Sequence, residues 1–199
     1  ALAFLTKLYS YKKNLNSTAN YQILSAPRNM ITGLFTHIIT LEAMKQMKKL
    51  FSKDIGPGNC LIDAWVRKNS EKKYDHGGYL ASIGEKNEII FEQAQELYYN
   101  RNKEKKSFDT NDFDISFSRG LSLEEGASTL TKFSADIISN ELSNSIDRIN
   151  NEVKDILLCG GGRKNKILIE KIRQNLKSKF NLDNIDNYGL DGDFIESQA

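Results

Sequence analysis

Apolar residues recur at three- and four-residue intervals in several stretches of the chain, and this spacing predicts amphipathic helices. The clearest begins at Ser122, because Ser122 and Glu125 have the S-x-x-E spacing of a capping box, and it continues to about Ile146. Further helices are predicted at residues 1–13, from Cys60 to Trp65, from Asn87 to Tyr99 and from Ile167 to Leu176.

Strands are predicted where short apolar runs meet turn residues. Asp155–Cys159 is such a run, and it stops at Gly160–Gly162 immediately before a predicted helix. This order of strand, glycine turn and helix is typical of α/β proteins. The pattern at Ile31–Ile39 fits either a strand or the start of a helix, and the pattern at Phe108–Phe117 fits a short strand or an extended arm.

Composition indicates a globular domain that acts on a small molecule. The 199 residues are 39% hydrophobic and 27% charged, and their net charge of +2 gives no surplus for nucleic acid or an anionic membrane. No apolar run approaches a membrane span, and the two cysteines indicate neither a disulfide framework nor a zinc site, so a cytoplasmic location is expected. Because the chain begins with Ala, we interpret it as a piece or a processed product.

Two glycine-rich turns are the main candidates for chemistry. At Gly160–Gly162 the backbone can approach a ligand closely, although a tight structural connection is an equally good interpretation. This turn is not a P-loop, because no GK[ST] follows it. A second turn at Asp54–Asn59 precedes another helix, and together the two turns suggest a phosphate clamp.

Other polar and reactive side chains have weaker signals. Asp54 and Asp63 fit helix capping or a surface ion pair, whereas carboxylates beside a phosphate turn can also hold hydrated Mg²⁺. The remaining candidates are interpreted as surface or packing residues: His37, His76, Trp65, Cys60 and Cys159.

Four strings in order resemble the second half of the anhydro-N-acetylmuramic acid kinases. They are Asp54–Trp65, Tyr74-Asp75, Leu158–Gly162 and Asp191–Ala199. The resemblance covers about residues 51–199 and implies the C-terminal ribonuclease H-like lobe of an actin-like or hexokinase-like α/β ATPase. Residues 1–50 consist of a segment that resembles the end of the family sequence and, near 37–50, a join without a family counterpart.

The resemblance also implies roles for individual residues. Gly56, Gly58 and Asn59 look like the turn that faces the phosphates, and Gly160, Gly161 and Gly162 like the turn against which adenosine packs. Glu196 falls in the family's D-x-x-E string near the sugar, although helix-terminal surface is nearly as good an interpretation. The implied ligands are ATP, Mg²⁺ and the anhydro sugar, and the implied partner is a second copy or a complementing N-terminal lobe.

Several family strings are missing from this sequence. The GTSxDG phosphate loop, the ADFR-like segment with the base aspartate and the GGQGAP-like stretch do not occur, so no catalytic residue is assigned. We therefore expect the chain alone to be inactive, and a non-catalytic nucleotide-binding lobe, either a relic or half of a two-chain enzyme, is the alternative. The first 36 residues resemble the segment that follows D-x-x-E in the family, as if the lobe were circularly permuted.

Overall fold

A computed structural model describes residues 21–26, 37–40, 56–101, 114–147, 155–176 and 180–193. The strands are β1 (Tyr21–Ala26), β2 (His37–Thr40), β3 (Asp155–Gly160) and β4 (Asn181–Asn184). The helices are α1 (Cys60–Asn69), α2 (Tyr79–Ile83), α3 (Glu88–Arg101), α4 (Leu123–Asp147) and α5 (Lys166–Asn175).

The strands form one mixed sheet in the order β2-β1-β3-β4. β1 pairs antiparallel with β2 and parallel with β3, and β3 pairs parallel with β4 after the crossover through α5. In the β1–β3 register Ala26 lies opposite Gly160, so both strands end at the same edge. This is the carboxyl edge, where ligands bind in open α/β sheets.

Helix α4 confirms the predicted capping box. The Ser122 N–H donates to Glu125 Oε2 at 3.0 Å, and the Glu125 N–H donates to Ser122 Oγ at 3.2 Å. Two free amides at the helix start are thereby satisfied. The helix ends at Asp147, one residue beyond the predicted end.

The other predictions have mixed outcomes. The helices at Cys60, Asn87 and Ile167 and the strand at Asp155 are confirmed to within a few residues, and the strand alternative is confirmed at His37–Thr40. Ser116–Ser118 forms a 3-10 turn, so the expected strand or extended arm is wrong for these residues. The predicted helix at 1–13 lies outside the described residues. Strands β1 and β4 and helix α2 were not predicted.

Helix α4 separates two hydrophobic clusters and contributes to both. On one side Ile138 packs with strand β3 and helix α5, and on the other side Ile137 packs with α1, α2 and α3. Both side chains are 1% exposed, because consecutive helix positions point to different sides of this central helix. No helix in the described part of the chain is long and apolar enough to cross a membrane.

Candidate functional site

The Gly160–Gly162 turn follows β3 directly and has a backbone that requires glycine. Gly160 has φ +74° and ψ 178°, a combination that side-chain-bearing residues rarely adopt. Its N–H donates to the Gly192 carbonyl at 2.7 Å, and the Asn165 N–H donates to the Gly162 carbonyl at 3.0 Å. The turn is thus held by backbone hydrogen bonds on both sides and leads into α5.

The Gly56–Asn59 turn rests on α4, where the two hydrophobic clusters meet. A Cβ on Gly56 would lie 3.0 Å from Ile138 Cγ1 and 3.1 Å from Ile137 Cγ2, so a glycine here lets the backbone sit close to the helix. Gly58 has φ +55°, and the following helix α1 begins at Cys60. The turn therefore leads directly into the N-terminus of α1, where the free helix amides favour an anion.

Asn165 joins the two turns. Its Nδ2 donates to Asn59 Oδ1 at 3.2 Å, and its Oδ1 accepts from the Leu168 N–H at 3.1 Å, which caps α5. Asn165 is buried, with 3% of its surface exposed. The sequence-predicted residues of the two turns are therefore close neighbours in the fold.

Gly78 packs against the side chain of Asn165, where a larger residue would not fit. The residue has φ +82°, and a Cβ on it would lie 2.5 Å from Asn165 Oδ1. The buried Asp75 carboxylate accepts from the Leu80 and Ala81 N–H groups at 2.8 and 3.0 Å and so fixes the start of α2 beside this contact. Sequence reasoning assigned no role to Asn165 or Gly78, although an asparagine before an apolar periodic stretch is an N-cap signal.

Asp63 lies one helical turn beyond the Gly56–Asn59 turn, inside α1. Its N–H donates to the Asn59 carbonyl at 2.8 Å and the N-cap position is Asn59, so capping, one of the alternatives for Asp63, is wrong. The pKa of its carboxyl is raised to about 7, mainly by burial; Arg67 lowers this pKa and the neighbouring Asp75 raises it, both to a smaller extent. Asp54, its companion candidate, lies outside the described residues. The residues that the structure describes contain no group of three or more His, Cys, Asp or Glu side chains that could hold a metal ion.

Replacing Asp63 with asparagine is expected to flatten the pH dependence of stability. Because the folded pKa of about 7 exceeds the unfolded value near 3.8, the folded state keeps a proton that the unfolded state has lost, and stability falls as pH rises between these values. Asp63→Asn should stabilise the chain by on the order of 1–2 kcal/mol at pH 8 and have little effect at pH 4. Urea unfolding at both pH values measures this, and an equal effect at both would contradict it.

The remaining sequence candidates match the structural interpretation where they are described. Burial raises the pKa of the Cys60 thiol to about 12, so it stays protonated, and Cys159 is buried. Trp65 is core at 3% exposed, and His76 is exposed with its ring 6.0 Å from that of Tyr74. Glu196 and the side chain of His37 lie outside the described residues.

Comparison with solved structures identifies the fold. An activator of 2-hydroxyisocaproyl-CoA dehydratase from Clostridium difficile, solved with bound ADPNP, superposes with a TM-score of 0.50 at 9% identity. The match covers 92% of this chain and 58% of that one. The expected α/β fold, a ribonuclease H-like lobe of the actin-like ATPases, is confirmed.

Comparison of sequences identifies the family. The family model of anhydro-N-acetylmuramic acid kinase matches residues 30–199. Kinases of that name from Pelagibacter ubique, Zymomonas mobilis and Rhodospirillum rubrum are 48%, 32% and 34% identical over 81%, 75% and 73% of this chain. The chain spans 43%, 40% and 37% of the length of these curated relatives. The chain therefore belongs to the anhydro-N-acetylmuramic acid kinase family.

Proposed function

We propose that this chain is the C-terminal, nucleotide-binding lobe of an anhydro-N-acetylmuramic acid kinase. The observation that carries the proposal is the Asn165–Asn59 hydrogen bond, which links the two glycine turns at the edge of the sheet. In the proposed arrangement the turn of Gly56, Gly58 and Asn59 faces the phosphates of ATP. The turn of Gly160, Gly161 and Gly162 packs against adenosine.

The geometry of both turns supports this assignment. Glycines leave the backbone accessible, and the amides at the start of α1 supply hydrogen-bond donors and the positive end of a helix dipole. ATP enters as its Mg²⁺ complex, in which the ion is coordinated mainly by phosphate oxygens and water. We assign to the half-buried Asp63 carboxylate, one turn along α1, the role of binding a water of the complex when it is ionised.

The proposed reaction opens the 1,6-anhydro ring and transfers a phosphoryl group. Water attacks the anomeric carbon, the C1–O6 bond breaks, and O6 takes the γ-phosphoryl group of ATP to give N-acetylmuramic acid 6-phosphate and ADP. This chain would contribute nucleotide positioning, and Glu196 would hydrogen-bond a sugar hydroxyl. The base that takes the proton from water belongs to a string that does not occur in this sequence, so a complementing N-terminal lobe would supply it. We place this reaction in peptidoglycan recycling in the cytoplasm.

The second candidate is a non-catalytic nucleotide-binding lobe. It rests on the same two linked glycine turns, and the GTSxDG and ADFR-like strings decide between it and the kinase. A neighbouring reading frame that encodes both strings would favour a two-chain enzyme, whereas their absence from the whole genome would favour a relic.

Calorimetric titration of Mg-ATP into the purified chain tests nucleotide binding. The chain should bind saturably, and Gly161→Asp should weaken binding at least tenfold, because its side chain fills space at the turn and its charge repels phosphate. Gln93→Glu is the matched control, because it adds one negative charge at an exposed position of α3. A folded wild-type chain that binds no Mg-ATP would overturn the proposed function.

A further inference from the structure

Arg163 follows the glycine turn, and its guanidinium is almost completely enclosed. The side chain is 4% exposed, and its Nε and Nη2 donate to the two carboxylate oxygens of Asp186 at 2.9 and 3.1 Å. Its Nη1 donates to Asp193 Oδ1 at 2.6 Å and to the Gly160 carbonyl at 2.8 Å. One side chain therefore links the glycine turn to two carboxylates that lie 23 and 30 residues further along the chain.

The backbone of Gly192 completes this junction. The Gly160 N–H donates to the Gly192 carbonyl at 2.7 Å, and the Gly192 N–H donates to Asp186 Oδ1 at 2.8 Å. A Cβ on Gly192 would lie 2.6 Å from Arg163 Nε, so the guanidinium fits directly over a residue without a side chain. The junction thus depends on close backbone approach as well as on charge.

The charges at the junction are matched within the protein. Burial raises the pKa of Asp186, but hydrogen bonds from Arg163 and from the Gly192 N–H outweigh it and hold that pKa below its usual range. Lys164 pairs with Asp193 at 2.5 Å and is 46% exposed. A basic residue directly after a glycine turn suggests a phosphate ligand, yet the donors of Arg163 are directed at these carboxylates and at a carbonyl.

Resting on the proposed function, we propose that Arg163 is a positioning residue. Its guanidinium holds residues 185–193 against the Gly160–Gly162 turn, so that the adenosine side of the site and the start of the D-x-x-E string at Asp193 keep one relative position. Lysine cannot replace it, because a single ammonium group lacks the planar fork that reaches Asp186, Asp193 and the Gly160 carbonyl together.

Hydrogen–deuterium exchange of the 199-residue chain tests this without ligand. In Arg163→Lys the amides of Gly160 and of residues 185–193 should exchange at least tenfold faster, while those of α3 are unchanged. Lys166→Ala, which removes an exposed positive charge at the start of α5, should behave like the wild type. Unchanged exchange in Arg163→Lys, or a uniform increase over the whole chain, would overturn the proposal.

A second arm adds saturating Mg-ATP to the same variants. In the wild type, nucleotide should slow exchange at both the turn and residues 185–193, and in Arg163→Lys it should slow exchange at the turn alone. Equal slowing of residues 185–193 in both proteins would overturn the positioning role. A wild-type chain that binds no nucleotide would instead overturn the proposed function. The exchange experiment without ligand would still decide whether Arg163 holds the junction.

Discussion

Replacing Gly126 with alanine is expected to lower the free energy of unfolding by about 3 kcal/mol, the upper part of the range for overpacked cores. A Cβ at this position of α4 would overlap the indole ring of Trp65. The ring cannot move aside freely, because Trp65 is 3% exposed and its Nε1 donates to the Leu123 carbonyl at 3.0 Å. For a chain of this size the melting temperature should fall by roughly 6–12 °C.

The sign of this effect makes the test decisive. In a helix interior, alanine is favoured over glycine by about 1 kcal/mol, so without the clash Gly126→Ala would stabilise the chain. Asn144→Ala, at an exposed position of the same helix, is the control and should stabilise slightly. In a Trp65→Leu background the added methyl should cost little, because the smaller side chain vacates the space. Urea denaturation of Gly126→Ala, Asn144→Ala, Trp65→Leu and the double variant measures the cost of the clash and the gain in helix propensity separately. A stabilising Gly126→Ala would show that Trp65 does not press on this backbone.

Local patterns predict four of the five described helices, all but α2, and the strand β3. The capping box of Ser122 and Glu125 involves two residues that are only three positions apart. The apolar residues of α4 recur at helical spacing because one face of the helix packs on each hydrophobic cluster. Strand β3 is recognisable because it is buried on the sheet and ends at a glycine turn. Such features depend on neighbours in sequence, and sequence analysis finds them directly.

The missed features depend on contacts between distant residues. Strand β4 has the sequence Asn181–Asn184 with only Leu182 buried, so its polar residues give no strand pattern, and pairing with β3 creates it. The partner of Asn165 lies 106 residues away, and those of Arg163 lie 23 and 30 residues away. The glycines could be predicted from their local turns, but the side chains that join those turns could not.

Asn165→Asp is expected to weaken Mg-ATP binding 10- to 100-fold, about 1.4–2.8 kcal/mol, while the fold is retained. A carboxylate still accepts from the Leu168 N–H and caps α5, and Asn59 can turn its amide over to donate to the new oxygen. These hydrogen bonds offset part of the cost of burying the new charge, and the free energy of unfolding should fall by about 1–3 kcal/mol. The negative charge, however, lies between the two turns proposed to hold a polyphosphate, and it repels that anion.

Two comparisons separate this charge effect from damage to the site. Adenosine carries no phosphate, so calorimetric titration should give the same affinity for adenosine in the wild type and in Asn165→Asp. Asn165→Ala adds no charge but removes the cap, and it should lose about 0.5–2 kcal/mol of stability. Because residue 165 is 3% exposed, salt screens a charge there only weakly, and the Mg-ATP penalty of Asn165→Asp should persist at raised ionic strength. If Asn165→Asp bound Mg-ATP as tightly as the wild type, the phosphates would have to lie elsewhere, and the two linked turns would be a structural junction.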